Sequence, residues 1–215
     1  MVITDLLEIV KHLPDDKNLE DVFVERTKQH INKVQTFGQK LGYNFRCHDF
    51  QKLGVLLSGY KYFCKRREDR TEDEEKALDV ATYLHITSCS HHPEFWTTTD
   101  LTGFTRQNPI PNGVLDVSGM DEISIIEMVC DWKAVGEEKG NTVLCWLNKV
   151  NGTRWNFTKN QIKLIRDIAI QLSDKLETVK DTQYIAFAAE LGFDPYKETI
   201  EEFEEWYYMQ SIQNR

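Results

Sequence analysis

None of the five cysteines, at 47, 64, 89, 130 and 145, belongs to a Cys-x-x-Cys pair. Their odd number and wide spacing exclude a zinc knuckle and a disulfide framework, and fit a reducing compartment. No apolar run approaches the length of a membrane span, and the first residues lack the basic start and apolar core of a signal peptide. Positive charge is also scarce: 26 Lys and Arg stand against 35 Asp and Glu, a net charge of −9 with a pI near 5.2. That balance argues against extended nucleic-acid binding and against a polybasic membrane patch, but it allows a local basic pocket for a phosphorylated small molecule. Internal repeats, low-complexity tracts and alternating strand patterns are missing as well. The expectation is a soluble, cytoplasmic protein; its oligomeric state is not legible.

What is present is material for a core. The 215 residues are 40% hydrophobic and include five Trp, eleven Phe and eight Tyr, enough for one well-buried domain. The periodicity is helical nearly throughout. It predicts helices over about 3–12, 19–41, 72–88, 119–138 and 158–176, with a further short one from Asn141. Another is predicted to carry His48-Asp49 through Leu53 and Leu57 to Gly59. Residues 97–118, Thr-rich with Gly103, Pro109, Pro111 and Gly113, form the longest non-periodic stretch, with the length of a lid or binding loop and Arg106 as its basic group. The reading is an all-α domain over 1–178, followed by an acidic helical extension over 179–215. That extension holds the Glu-rich run 198–205 and the aromatics Phe203, Trp206, Tyr207 and Tyr208, at a spacing suited to docking or to a partner.

Five of the six histidines fall between positions 30 and 92: His30, His48, His85, His91 and His92. His30 shares the apolar stripe of its helix with Phe23, Val34, Phe37 and Leu41, and His85 follows Ala77, Leu78 and Ala81 on another. Asp131 lies on one side of a later helix with Ser124, Met128 and Val135. An ionised Asp on such a face costs several kcal/mol unless positive charge meets it, which a metal, an arginine or a helix N-terminus supplies. Each histidine alone reads as an ordinary core residue. Together with Asp49 and Asp131 they form an imidazole–carboxylate set suited to one or two divalent transition metals, with Fe, Mn, Zn, Co and Ni all compatible.

His30, His48-Asp49 and Asp131 on successive helices resemble the H…HD…D signature of the HD-domain superfamily. His85, His91 and His92 look like the additional histidines of its binuclear branch, which includes cyclic-dinucleotide phosphodiesterases and mixed-valent di-iron oxygenases. His48-Asp49-Phe50-Gln51-Lys52 is similar to the H-D-x-x-K of the former. The phrases His91–Trp96 (HHPEFW), Ile126–Trp132 (IEMVCDW) and Asn148–Trp155 (NKVNGTRW) resemble a bacterial and phage family over about residues 25–175. The chain departs from the phosphodiesterase pattern in having no Gly-Tyr-Pro after the histidine pair. The six-residue step from His85 to His91 is also short for the binuclear branch, so which of His85, His91 and His92 ligate directly stays open.

The resemblance implies an HD-like helical bundle in which His30, His48, Asp49 and Asp131 hold a first ion. Asp49 would bridge to a second held by His85 with His91, His92 or both. It implies hydrolysis of a nucleotide or similar phosphorylated small molecule by a metal-activated water, with Lys52 one turn from Asp49 and turned to the phosphate. Glu94 is a candidate acid, base or orienter of a ligating imidazole, and Lys149 and Arg154 are candidate phosphate contacts. Two other classes fit the same residues: a di-iron oxygenase, and a non-catalytic binding protein with a structural metal site.

Overall fold

A computed structural model describes residues 2–14 and 16–172. The expected extension over 179–215, and the end of the last helix beyond Leu172, lie outside the described residues. Within them the protein is all-α, apart from one two-stranded parallel pairing. The helices are α1 (Ile3–Val10), α2 (Lys17–Lys40), α3 (Leu57–Tyr60), α4 (Glu72–Ser88), α5 (Glu122–Lys139), α6 (Val143–Val150) and α7 (Lys159–Leu172). None of them is long and apolar enough to cross a membrane.

The ends of these helices follow local chemistry. Asp16 caps α2 by accepting from the Leu19 amide, and Thr71 with Glu74 forms a reciprocal capping box at α4. Asp121 caps α5, which starts a few residues later than its periodicity suggests, and the helix ends at Gly140 in a left-handed conformation. Thr142 caps α6, which begins at Val143, two residues later than the sequence suggests.

Two readings are corrected. A continuous helix from His48 to Gly59 does not form. Asp49 has φ 58°, the only positive φ outside glycine among the described residues, and that left-handed turn is incompatible with a helix start. Residues Phe50–Leu53 make a single 3-10 turn instead, and the α-helix begins only at Leu57. The non-periodic loop also contains a strand, β1 (Leu115–Asp116), which pairs in parallel with β2 (Trp155–Asn156). Gln161 of α7 fastens the end of this loop by donating to the carbonyls of Val117 and Met120, each at 3.0 Å. Its middle is tied to α4, because the Arg106 amide donates to Asp79 and the Gln107 amide to Glu75. A pairing of two residues per strand between distant segments leaves no alternation to detect.

The apolar residues form two clusters. The smaller joins α1, the first half of α2, the α3 region and the first half of α4, through Leu6, Phe23, Leu56, Tyr60, Leu78 and Ala81. The larger joins the second half of α2 to α5, α6 and α7, through Val34, Phe37, Ile125, Met128, Leu147 and Ile165. Both α2 and α4 run from one cluster to the other. His30 lies between Phe23 of the smaller and Val34 of the larger, and His85 between Ala81 and Ile86 in the same way. The inward polar residues therefore collect at the seam between two apolar cores, where neither core closes over them. Close backbone approach tightens each of the two clusters. A Cβ on Gly59 would meet the Ala77 carbonyl oxygen and the Ala81 Cβ at 2.7 Å each. One on Gly38 would meet the Phe45 ring at 2.6 Å, so Phe45 docks flush on α2 just before His48.

Candidate metal centre

Four elements deliver the polar residues to the seam. α2 contributes His30, the turn after Phe45 contributes His48 and Asp49, α4 and the segment after it contribute His85, His91 and His92, and α5 contributes Asp131. The left-handed backbone of Asp49, tolerated by Asp better than by most residues, places its carboxylate at the middle of this set. Asp49 and His48 are buried, and the side chains of His30 and Asp131 are only 12% and 16% exposed.

The two oxygens of Asp49 face different groups. Oδ2 stands 3.7 Å from His30 Nε2 and 3.6 Å from His48 Nε2. Asp131 Oδ1 completes this side, 3.0 Å from His30 Nε2 and 3.9 Å from His48 Nε2. Oδ1 of Asp49 stands 2.9 Å from His85 Nε2 and 3.6 Å from His91 Nε2, with His92 in the same group. Ligands about 2.0–2.2 Å from one transition-metal ion are separated by about 2.8–3.6 Å in octahedral or tetrahedral geometry. The observed separations cluster in and just above that interval.

Hydrogen bonding points the same way. Asp49 Oδ1, His85 Nε2, His91 Nε2 and His92 Nε2 are all buried, and none makes a hydrogen bond. Four orphaned donor or acceptor atoms in one pocket are costly unless a further partner binds them, because each leaves its desolvation unrewarded. His30 Nε2 and His48 Nε2 face each other at 3.3 Å, an arrangement that calls for a shared proton or a cation between them. The residues therefore fit one cation on each side of Asp49.

The electrostatics keep the ligands in their binding forms. Burial and the neighbouring Lys52 push the His85 imidazole down to about 4, so it is neutral near pH 7. Burial likewise holds His91 and His92 well below the usual histidine range, reinforced by the histidines around them. Burial opposes ionisation of Asp49, but Lys52, His48 and His85 outweigh it and hold this carboxyl well below its ordinary value. At Asp131 burial is again overcome, by the hydrogen bond and charge of His30 and then by His48. His48 is the exception among the shifted imidazoles. Burial disfavours its charge, yet Asp49, the Glu127 hydrogen bond and Asp131 prevail and raise it.

Lys52, in the 3-10 turn, reaches back to Asp49 Oδ2 at 2.6 Å and lies 5.4 Å from the centre of the Tyr60 ring. Burial works against its charge, but Asp49 and then Tyr60 more than compensate, so its ammonium persists at all ordinary pH. A cleft of about 180 Å³ opens on this side, lined by His30, Asp49, Lys52, Tyr60 and Asp131, with Lys139 and an Arg26–Glu138 ion pair further along. A second, wider cleft meets the cluster from the side of His48, His91, Glu127 and Cys89.

The other candidates lie elsewhere. Glu94 is fully buried, and its Oε1 accepts from Arg154 at 2.8 Å and from the Trp155 indole at 3.0 Å. Arg154 in turn lies over the Trp155 ring, and Lys149 over Trp146. The structure thus brings Glu94 and Arg154 to each other, fastening the segment after His92 to the β2 turn. Lys52 alone of the proposed phosphate contacts lines the cleft.

Sequence reasoning missed Glu127. Its Oε1 lies 2.9 Å from His48 Nδ1 and 3.5 Å from His91 Nδ1. The signal was its position exactly four residues before Asp131, hence on the same face of α5. It also missed Tyr60, buried against Lys52 with a phenol pushed up to about 12 by burial.

No curated protein and no solved structure matches the chain. Residues 19–182 match a family model described as a family of unknown function, DUF5662. That span includes every residue of the cluster and most of the chain, and the protein belongs to this family.

Proposed function

We propose that the protein is a metal-dependent phosphohydrolase of HD-domain type, acting on a nucleotide or similar phosphorylated small molecule. The observation that carries this reading is the division of labour at Asp49, each of whose oxygens faces a separate group of ligand atoms. His30, His48, Asp49 and Asp131 would hold one ion, and Asp49, His85, His91 and His92 the other. Such a pair of ions supplies an acidified water near neutral pH and offsets charge developing on a phosphoryl group.

The chain's own residues then bind and orient the substrate. Lys52 holds a phosphoryl oxygen at the inner end of the cleft, as a charged donor that stays protonated. Lys139, further along the same lining, adds a second cation to Lys52, whereas Arg26 there is paired with Glu138 at 3.1 Å. Tyr60, kept protonated by its raised pKa, is available as a neutral donor beside Lys52. At about 180 Å³ the cleft is smaller than an ordinary pocket for a drug-sized ligand, roughly 300–1,000 Å³. It takes the phosphoryl end of a substrate, with the remainder at the rim.

The test is a panel of phosphate esters, including nucleoside mono-, di- and triphosphates, assayed with protein loaded separately with Mn, Co, Zn, Ni or Fe. Release of phosphate that disappears in Asp49→Ala and Asp131→Ala supports the reading. Oxygen uptake by the iron form without phosphate release would overturn it in favour of an oxygenase.

A further inference from the structure

Glu127 is placed to serve both halves of the cluster at once. A single oxygen, Oε1, faces Nδ1 of His48 and Nδ1 of His91; the two histidines turn Nε2 towards different oxygens of Asp49, although they also form one candidate ligand group with Asp131. Their rings are neighbours, with centroids 4.3 Å apart. The contact to His48 at 2.9 Å is a hydrogen bond, whereas His91 Nδ1 lies 3.5 Å from the same oxygen, within ion-pair reach but not hydrogen-bonded. The arrangement is supported from α5, which also supplies Asp131 one turn further on. The Glu127 side chain is 18% exposed, on the wall of the wider cleft, away from the lining that holds Lys52.

An imidazole that donates its Nδ1 proton to a carboxylate keeps a lone pair on Nε2, the atom that each of these histidines turns towards Asp49. The carboxylate also fixes the ring plane and raises the basicity of the ligating nitrogen. We infer that Glu127 is a positioning residue shared by the two metal sites, setting the tautomer and orientation of His48 for one and His91 for the other. This inference rests on the two-ion reading above. It adds a consequence for a residue that binds neither ion: removing Glu127 weakens both sites together. Loss of His85 weakens only the side of Asp49 Oδ1, and loss of His30 only the side of Oδ2.

The experiment compares full-length wild type with Glu127→Ala, Glu127→Gln and His85→Ala. Zn²⁺ alone is titrated by calorimetry, and the metal-free proteins are examined by ¹⁵N histidine NMR. In Glu127→Ala both Zn²⁺ affinities are expected to fall by about 10–100-fold, against one in His85→Ala. Wild type is expected to show His48 and His91 protonated on Nδ1 in their neutral forms, a preference lost in Glu127→Ala and partly kept in Glu127→Gln, whose amide oxygen still accepts. Unchanged affinities in Glu127→Ala, or weakening of one site alone, would overturn the inference while leaving the two-ion reading intact. Wild type that takes up no Zn²⁺ would overturn the two-ion reading itself. Should the alanine variant fail to fold, the wild-type tautomers and the glutamine variant decide: Nε2-protonated His48 and His91 overturn the inference.

Discussion

Asp49 Oδ1 and His85 Nε2 stand 2.9 Å apart in a buried pocket, yet the two atoms do not form a hydrogen bond. That separation is what two ligands of one ion require, and the same carboxylate turns its other oxygen towards His30 and His48. Asp49 is therefore the residue on which both halves of the cluster depend. Replacing it by Ala is expected to abolish binding at the His85 side and to weaken the other by at least tenfold, measured as metal content after dialysis. It also leaves Lys52 without its closest anion, so a loss of stability on the order of 3 kcal/mol accompanies it.

Lys52 separates binding of metal from binding of substrate. Lys52→Met removes a charged donor to the phosphoryl group without removing a ligand atom. The expected result is a fall in kcat/KM of about 10–100-fold, equivalent to a lost hydrogen bond to a charged group. Metal content measured on the same preparation does not fall, because Lys52 is not a ligand and its removal leaves Asp49 Oδ2 open to the ion.

The buried imidazoles set a pH dependence whose sign is fixed. His85, His91 and His92 have depressed pKa values in the fold, so below about 6.5 the unfolded chain binds more protons than the native one. Stability of metal-free protein therefore falls as pH drops from about 6.5 towards 4. His85 alone contributes on the order of 3 kcal/mol of this loss. His48, with its raised pKa, has the opposite sign: its contribution is complete below 6.5 and is lost on going to higher pH. Three depressed groups outweigh one raised group. Below about pH 4 the lowered carboxyls of Asp49 and Asp131 add to the acid loss. Thermal denaturation of metal-free protein at steps between pH 7.5 and 4 checks this, and a Tm that rises on acidification would contradict it.

Much of this arrangement is legible in the sequence, for a physical reason. Inward residues on long helices repeat at three and four positions, so His30 on α2, His85 on α4 and Asp131 on α5 declare themselves by their apolar neighbours. Asp49 does not, because its role depends on a left-handed turn that no periodicity encodes, and the expected helix there gave way to a 3-10 turn. Glu127 was hidden by its class: a glutamate on a helix is usually solvated, and only the fold reveals the histidines that meet it. Glu94 and Arg154 could not be paired in advance, since they are 60 residues apart and meet only through the tertiary fold, where Glu94 also accepts from the Trp155 indole. The 97–118 segment reads in sequence only as a long lid or binding loop, because its anchors, Glu75, Asp79 and Gln161, lie in helices on either side of it.

Gly59 tests the fold independently of the chemistry. A methyl group there meets the α4 backbone, which a small rotation of a side chain does not relieve. Gly59→Ala is expected to lower stability by about 1–3 kcal/mol, read from urea denaturation. The atoms that methyl group would meet, on Ala77, Ala81 and Leu6, belong to the smaller apolar cluster; an unchanged midpoint would mean that α3 and α4 are not packed this closely.

The most direct measurement is elemental mass spectrometry of full-length protein purified without a histidine tag, beside Asp49→Ala. The account predicts about two transition-metal ions per chain in the wild type, taken up on reconstitution if lost in purification, and a large reduction in the variant. A wild-type chain that holds no metal and takes up none would contradict it.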